Sequence, residues 1–310
     1  MNPGTDDLSH LHRPVLVAEV LAHLAPKDTA GALVVDGTVG YGGHAEAMLS
    51  AWPQARLLGL DRDLAALRAT KLRLARFGPR ARLFHASYAD LDEVLGEAAE
   101  GRPLAVLLDL GVSSPQLDVA ARGFSFRSLE ASADMRFDPE AGGPTAADLV
   151  NRLPEADLAR LLLEHGGERR ARVVARALVA ARPVRTVGDL AHAVRRVVRR
   201  DASGIDPATR TFQALRMAVN DEPGHLARGL RAALRATLPG GRVAVISFHS
   251  GEERAVKAAF AEAVRDGRAR VVTAKGVRPT EMETRENPRA SPARLRVAEA
   301  VEFVRQEEVG

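Results

Sequence analysis

The stretch ALVVDGTVGYGGHAEAML, Ala32 to Leu49, decides how this chain folds. Ala32 to Asp36 is a short apolar run, the pattern of a strand buried on both faces. Glycines at 37, 40, 42 and 43 stand where strand gives way to helix. Glycine admits positive φ and lets a ligand come close to the backbone. Gly43 to Ala51 reads as a helix, and its first turn offers N–H groups that have no partner inside the helix. A tight strand-to-helix turn needs no ligand, so its position must carry the rest of the reading.

Outward from that turn, strand and helix signals alternate. Arg56 to Asp61 (RLLGLD) is a second strand, followed by a helical stretch from Leu64 to Arg76. Ala81 to His85 reads as a third strand and Pro103 to Asp109 as a fourth. This alternation predicts an α/β fold with a mostly parallel sheet and helices on both faces. Right-handed crossovers then place the strand ends on one edge, where ligands of such sheets bind. Asp61 ends the second strand about twenty residues past Gly40, where an acid accepts hydrogen bonds from ribose hydroxyls. A helix N-cap at Asp61 or Asp63 is the plainer use of these acids. Turn and spaced acid together predict a nucleoside-containing cofactor.

Composition fits a globular chain with material for a large core: 310 residues, 46% hydrophobic and 27% charged. The absence of cysteine excludes a disulfide framework, a thiolate metal site and a Cys nucleophile. The opening MNPGTDDLSHLHRP has no apolar core of a signal peptide. No run approaches the ~18 apolar residues of a membrane span. A cytoplasmic protein that does not engage membrane is the expectation. The net charge of +4 comes from arginine, which binds phosphates bidentately. An excess this small fits a nucleic-acid partner and, equally, a GC-rich genome.

From Leu149 to Val219 only helical periodicity is evident, as in EADLARLLLEHG (Glu155 to Gly166) and ERRARVVARALVAARP (Glu168 to Pro183). Strand logic then returns. His225 to Phe248 reads as a helix, a Pro-Gly-Gly stop and an apolar strand, with further strands expected at Ala269 to Ala274 and Leu295 to Val304. The expected organisation is one α/β domain, residues 1–118 and 220–310, interrupted by a helical insertion at 119–219.

The cofactor can be narrowed. No G-x-x-x-x-G-K-[ST] occurs, which excludes a P-loop. NAD stays possible, but the turn opens with an acid, Asp36, which suits a cationic cofactor better than a pyrophosphate. S-adenosylmethionine carries an ammonium and a sulfonium. The fourth strand runs into DLGVSSPQLD, Asp109 to Asp118. Amino-methyltransferases acting on bases carry a D/N/S-P-P-aromatic turn at this place, and Ser113-Ser114-Pro115-Gln116 resembles it. The N4 of cytosine is a poor nucleophile because its lone pair is delocalised into the ring. An acceptor for its hydrogens draws the nitrogen toward sp³, and proline keeps the turn stiff.

Together with HRPVLVAEVL (His12 to Leu21), LDRD, RGFSF (Arg122 to Phe126), DMRFD, RTFQALRMAVNDE (Arg210 to Glu222), ISFHS and ENPRASPARLRVAE, these blocks resemble the bacterial 16S rRNA (cytosine-N4)-methyltransferases, the RsmH or MraW family. They run in order along nearly the whole chain. The resemblance implies a class I (Rossmann-like) methyltransferase domain with an inserted helical substrate-recognition domain. It implies S-adenosylmethionine as cofactor and, as partner, 16S rRNA within the small ribosomal subunit. By the same resemblance, cofactor contacts fall on Gly42, Gly43, His44, Asp61, Tyr88, Asp109 and Gln116, with Tyr88 packing on adenine. Ser113 and Pro115 are the candidate catalytic residues, and no metal is expected. The chain departs from the family at Ser132-Ala133 (Pro-Leu), Gly251 and Glu253 (Leu and Asp), and Pro223 (Leu), which bears on local packing.

Other readings compete. His44-Ala45-Glu46 matches the H-x-E of zinc deaminases, but their P-C-x-x-C partner is missing. Ser247, His249 and Glu252 could be read as a hydrolase triad, yet no G-x-S-x-G elbow supports it. An NAD oxidoreductase, and an RNA-binding or assembly protein without catalysis, are the remaining alternatives. Arginines 169, 170, 172, 176, 195, 196, 199 and 200 form a basic set in the insertion. It reads either as an RNA surface or as a solvated helix face paired with Glu164 and Glu168.

Overall fold

The computed structural model describes residues 14–110, 122–125, 128–200, 204 and 206–302. In chain order the first elements are α1 (Val17–Leu24), β1 (Leu33–Asp36), α2 (Gly43–Ala51), β2 (Arg56–Asp61), α3 (Leu64–Arg73), β3 (Ala81–His85), α4 (Leu91–Glu97) and β4 (Ala105–Asp109). Helices α5 (Ala146–Arg152), α6 (Glu155–Gly166), α7 (Ala171–Ala180), α8 (Val187–Val197) and α9 (Thr209–Val219) follow. The chain ends with α10 (Glu222–Ala236), β5 (Arg242–Ser247), α11 (Ser250–Arg265), β6 (Ala269–Val271), α12 (Glu281–Glu286) and β7 (Arg294–Ala300). Two compact units result: Met1–Gly111 with Gly224–Gly310, and Val112–Pro223. The second unit runs from 112 to 223, where the sequence pattern predicts 119 to 219.

The first unit is built on one seven-stranded sheet of order β3-β2-β1-β4-β5-β7-β6. Strands β1 to β5 pair in parallel, whereas β7 runs antiparallel to both β5 and β6. Alternate residues of each strand face opposite sides of the sheet. Val34, Leu57, Leu107 and Ile246 therefore join one core with α1, α2 and α3. Leu33, Val35, Leu58, Leu60, Val106, Leu108 and Val245 join the other, with α4, α10 and α11. Burial on both faces is why these strands read as unbroken apolar runs.

Several boundaries differ from expectation for local reasons. Helix α3 stops at Arg73 instead of running to Arg76, and a 3₁₀ segment (Ala75–Arg80) holding Gly78 and Pro79 takes over. Proline lacks the N–H a continuing helix needs. Strand β6 ends at Val271, short of Ala274, and β7 spans Arg294–Ala300. Helix α10 begins ahead of His225, with Pro223 in its first turn, where a missing N–H costs nothing. Charged residues interrupt β7 because they are buried in ion pairs. Arg296 meets Glu253 at 2.9 Å, and Glu299 meets Arg242 at 3.2 Å and Arg270 at 2.8 Å.

The second unit packs its helices around Leu158, Leu162, Val174, Leu178, Leu190, Val194 and Leu215. Thr145 with Asp148 and Thr186 with Asp189 form reciprocal caps at the starts of α5 and α8. The divergent block Ser132–Met135 is well accommodated, since Ala133 and Met135 are fully buried. Asn220 secures it by donating to the Met135 carbonyl (2.8 Å) and accepting from the Phe137 N–H (2.7 Å).

Candidate cofactor and active site

Strands β2, β1 and β4 are neighbours, so their carboxyl ends bring Asp61, Asp36 and Asp109 to one edge of the sheet. The glycine turn is tied down on both sides. The Gly37 N–H donates to the Leu107 carbonyl (2.9 Å) and the Val39 N–H to the Leu60 carbonyl (2.9 Å). Asp61 accepts from the Gly40 N–H (2.8 Å) through one oxygen and from the Asp63 N–H (2.9 Å) through the other. The Thr70 hydroxyl donates to the Gly40 carbonyl, and Thr38 Oγ1 accepts the Asp109 N–H at 2.6 Å. A Cβ on Gly37 would lie 2.5 Å from Leu108 Cδ2 and 2.9 Å from Tyr88 Cβ, so a side chain there must displace its neighbours. Gly42, at φ 79°, is the left-handed residue that launches α2.

His44, in the first turn of α2, is 6% exposed. Its Nε2 lies 3.4 Å from Asp109 Oδ2. Neither ring nitrogen, nor Asp109 Oδ1, has a hydrogen-bond partner among the described residues. Buried polar atoms are nearly always satisfied, so such a cluster calls for a polar group to complete it. Asp36 is 1% exposed and accepts a 3.2 Å bond from the Thr38 N–H. Burial pushes its carboxyl up to about 7, opposed by His44 and reinforced by Asp109 and Asp61. Burial likewise raises Asp61 to about 6, against its backbone hydrogen bonds. Asp36 and Asp61, crowded and desolvated, are strained as anions and favour a cation. This chemistry, with the open glycine turn, fits a cofactor bearing ammonium and sulfonium groups.

The sequence-derived residues distribute as follows. Gly42, Gly43, His44, Asp61 and Asp109 converge on this edge. Tyr88 follows β3 in a short 3₁₀ turn capped by Ser87, and its ring edge lies against Gly229 of α10. Ser113, Pro115 and Gln116 lie outside the described residues. Thr38 and Thr70 were not read from the sequence, and Asp36 was noted only as the acid opening the turn. A hydroxyl two residues past a strand's end carries no pattern of its own, so Thr38 had no signal to find.

The rival sites resolve into structural roles. His249 caps α11: its Nδ1 accepts the Glu252 N–H (3.3 Å), while Glu252 accepts the Phe248 N–H (2.7 Å). Ser247 points its hydroxyl toward the Arg294 carbonyl (3.4 Å). Glu46 is held by Arg73 (2.7 Å) and Arg76 (3.0 Å). No cluster of metal-ligating side chains occurs among the described residues. None of the described helices is long and apolar enough to cross a membrane.

A five-stranded parallel sheet extended by an antiparallel β7 between β5 and β6, with a glycine turn and acids at the strand ends, defines a class I methyltransferase. The chain belongs to the MraW methylase family, whose profile matches residues 9–301. It is 48% identical to ribosomal RNA small subunit methyltransferase H of Methylorubrum populi, covering 93% of this chain and 86% of that protein. The protein of the same name from Thermobifida fusca is 45% identical, with 93% of both chains covered. Among solved structures, an rRNA methylase from Streptococcus thermophilus aligns with 14% identity and a TM-score of 0.41, over 97% of this chain and 99% of that one.

Proposed function

We propose that this protein is a cytoplasmic enzyme that methylates the exocyclic N4 of a cytidine in the decoding region of 16S rRNA, in the context of the small ribosomal subunit, using S-adenosylmethionine. The observation that carries the reading is the buried group Asp36, Asp61, Asp109 and His44 around the glycine turn, with atoms on His44 and Asp109 that have no hydrogen-bond partner among the described residues. Family membership and the names of its relatives support the same reaction.

When bound, S-adenosylmethionine supplies an electrophilic methyl on a sulfonium. Asp61 spends one lone pair of each oxygen on the turn and keeps acceptor capacity for ribose hydroxyls. Gly42 and Gly43 admit the ligand against the backbone, and Asp109 with His44 offers polar atoms to its charged end. Tyr88 gives an aromatic face to adenine, and Gln116 keeps the following turn in register. Ser113, through its hydroxyl, or a carbonyl of the same turn, accepts an N4 hydrogen as the nitrogen rehybridises. Pro115 stiffens that turn. The cytosine must be splayed from its stack to reach this place. No strong base is needed, because the methylated nitrogen is cationic and loses its proton readily. The insertion, residues 119–219, serves substrate recognition.

Calorimetry separates this reading from an NAD enzyme. Binding of S-adenosylmethionine without binding of NAD is expected, and the opposite pattern would overturn the proposal.

A further inference from the structure

Helix α8 ends in arginines that do not share one fate. Its start is fixed by the Thr186–Asp189 cap, and Leu190, Ala191 and Val194 bury its inner face. This anchors Arg195, whose Nε and Nη2 donate to the two oxygens of Asp206 at 3.2 and 2.8 Å. Asp206 is itself held, accepting the Ala208 N–H at 2.9 Å. Arg200, 70% exposed, approaches the same carboxylate only at 3.5 Å. No carboxylate among the described residues lies within ion-pair reach of Arg199. Arg195, Arg199 and Arg200, with Val198 and Pro207, line a cleft of about 470 Å³. Among the described residues, three guanidinium charges therefore face one carboxylate across a concave surface.

Elsewhere in this unit several arginines each have a carboxylate of their own. Arg152 pairs with Asp148, Arg160 with Asp157 and Arg176 with Glu155. Glu168, a possible partner for the arginines beside it, is buried and accepts the Arg170 backbone N–H. Cations in the last turn of a helix complement its negative end, which accounts for Arg195 and Arg196. That does not account for Arg199 and Arg200, which lie past the end of α8.

We infer that the Arg195–Arg199–Arg200 cleft holds backbone phosphate of the RNA substrate. The inference rests on the reading of rRNA as substrate. The planar guanidinium fork matches phosphate oxygens bidentately, and the basic residues lining the cleft among those described are all arginine. Its volume falls within the ~300–1,000 Å³ of ordinary ligand sites and exceeds what one phosphate needs. Val198 and Pro207 give an apolar wall for the attached sugar. Among the described residues no aromatic side chain lines the cleft, so they offer no stacking platform. Among the described residues its one carboxylate neighbour, Asp206, is held chiefly by Arg195. The cleft therefore grips backbone and positions the RNA without reading sequence.

The test is the salt dependence of binding of the full-length protein to a labelled transcript of the 16S rRNA decoding region. The variant R199Q/R200Q leaves the Arg195–Asp206 pair intact. With two phosphate contacts removed, the affinity lost between 50 and 200 mM salt should shrink by about sevenfold to twelvefold relative to wild type. S-adenosylmethionine binding should stay at the wild-type level, which shows that the variant is folded. R152Q should keep the wild-type slope. A wild-type slope in R199Q/R200Q would overturn the inference while leaving the proposed substrate standing. Competition by polyglutamate but not by polyuridylate would also overturn it, in favour of an acidic protein partner. Failure of the wild-type protein to bind the transcript would remove the substrate reading, and this inference with it.

Discussion

Replacing Asp36 by Asn should stabilise the ligand-free protein at pH 8 and barely change it at pH 4. Asn keeps an acceptor for the Thr38 N–H and almost the same volume, so charge is the main change. Burial lifts the Asp36 carboxyl from 3.8 to about 7. Between those values the folded state holds a proton that the unfolded chain has released. Stability therefore falls as pH rises through this window, and the loss is complete above the folded value. At 1.36 kcal/mol per pH unit, the strain of ionised Asp36 is about 4 kcal/mol. The groups facing it are His44, which opposes the shift, and Asp109 and Asp61, which add to it. Urea unfolding of wild type and variant from pH 4 to 8 measures the gap between them, and this gap removes the titrations the two proteins share. It should widen from near zero to about 4 kcal/mol. An equal gap at pH 5 and pH 8 would refute the reasoning. A cationic ligand favours ionised Asp36, so wild-type affinity for S-adenosylmethionine should rise from pH 6 to 8 with release of a proton, and D36N should lose that release.

Asp61→Ala removes the acceptor of the Gly40 and Asp63 N–H groups together with the ribose acceptor. Calorimetry should show affinity for S-adenosylmethionine lower by about tenfold to a hundredfold, or roughly 1.5–3 kcal/mol, and unchanged affinity in a folded variant would sink the assignment. Gly37→Ala places a methyl 2.5 Å from Leu108 Cδ2. Urea unfolding should show a loss of about 1–3 kcal/mol, and wild-type stability would mean that the turn is looser than described. Ser113→Ala should bind cofactor normally but slow single-turnover methyl transfer by an amount worth roughly 1–3 kcal/mol. Wild-type rates in both Ser113→Ala and Pro115→Gly would assign that turn a structural role only.

Much of the sheet was legible because parallel strands buried on both faces are apolar runs, and β1 to β4 announce themselves in this way. The glycine turn and Asp61 were legible because their spacing follows from where a strand must end and a helix begin. The place of β7 was not. Its pairing with β5 and β6 is set by contacts far apart in the chain, and Arg296 and Glu299 disguise a strand whose charges are buried in ion pairs. Nor did the sequence disclose that Asp109 and His44 meet, since 65 residues separate them and only the β1–β4 pairing brings them together. His249 illustrates the converse: a row of chemistry-bearing letters that lacked a G-x-S-x-G elbow supplies the cap of a helix. The split fates of Arg195, Arg176 and Arg199 depend on which carboxylates the fold carries to them.

The most direct test is to incubate the protein with small ribosomal subunits, or 16S rRNA, and S-adenosylmethionine carrying a labelled methyl group. The RNA is then digested to nucleosides and the products are resolved by mass spectrometry against authentic standards. Label in N4-methylcytidine, absent when Asp109→Ala replaces the wild-type protein, is the predicted result. Label in 5-methylcytidine or in another nucleoside, or no label in RNA from a protein that binds the cofactor, would contradict it.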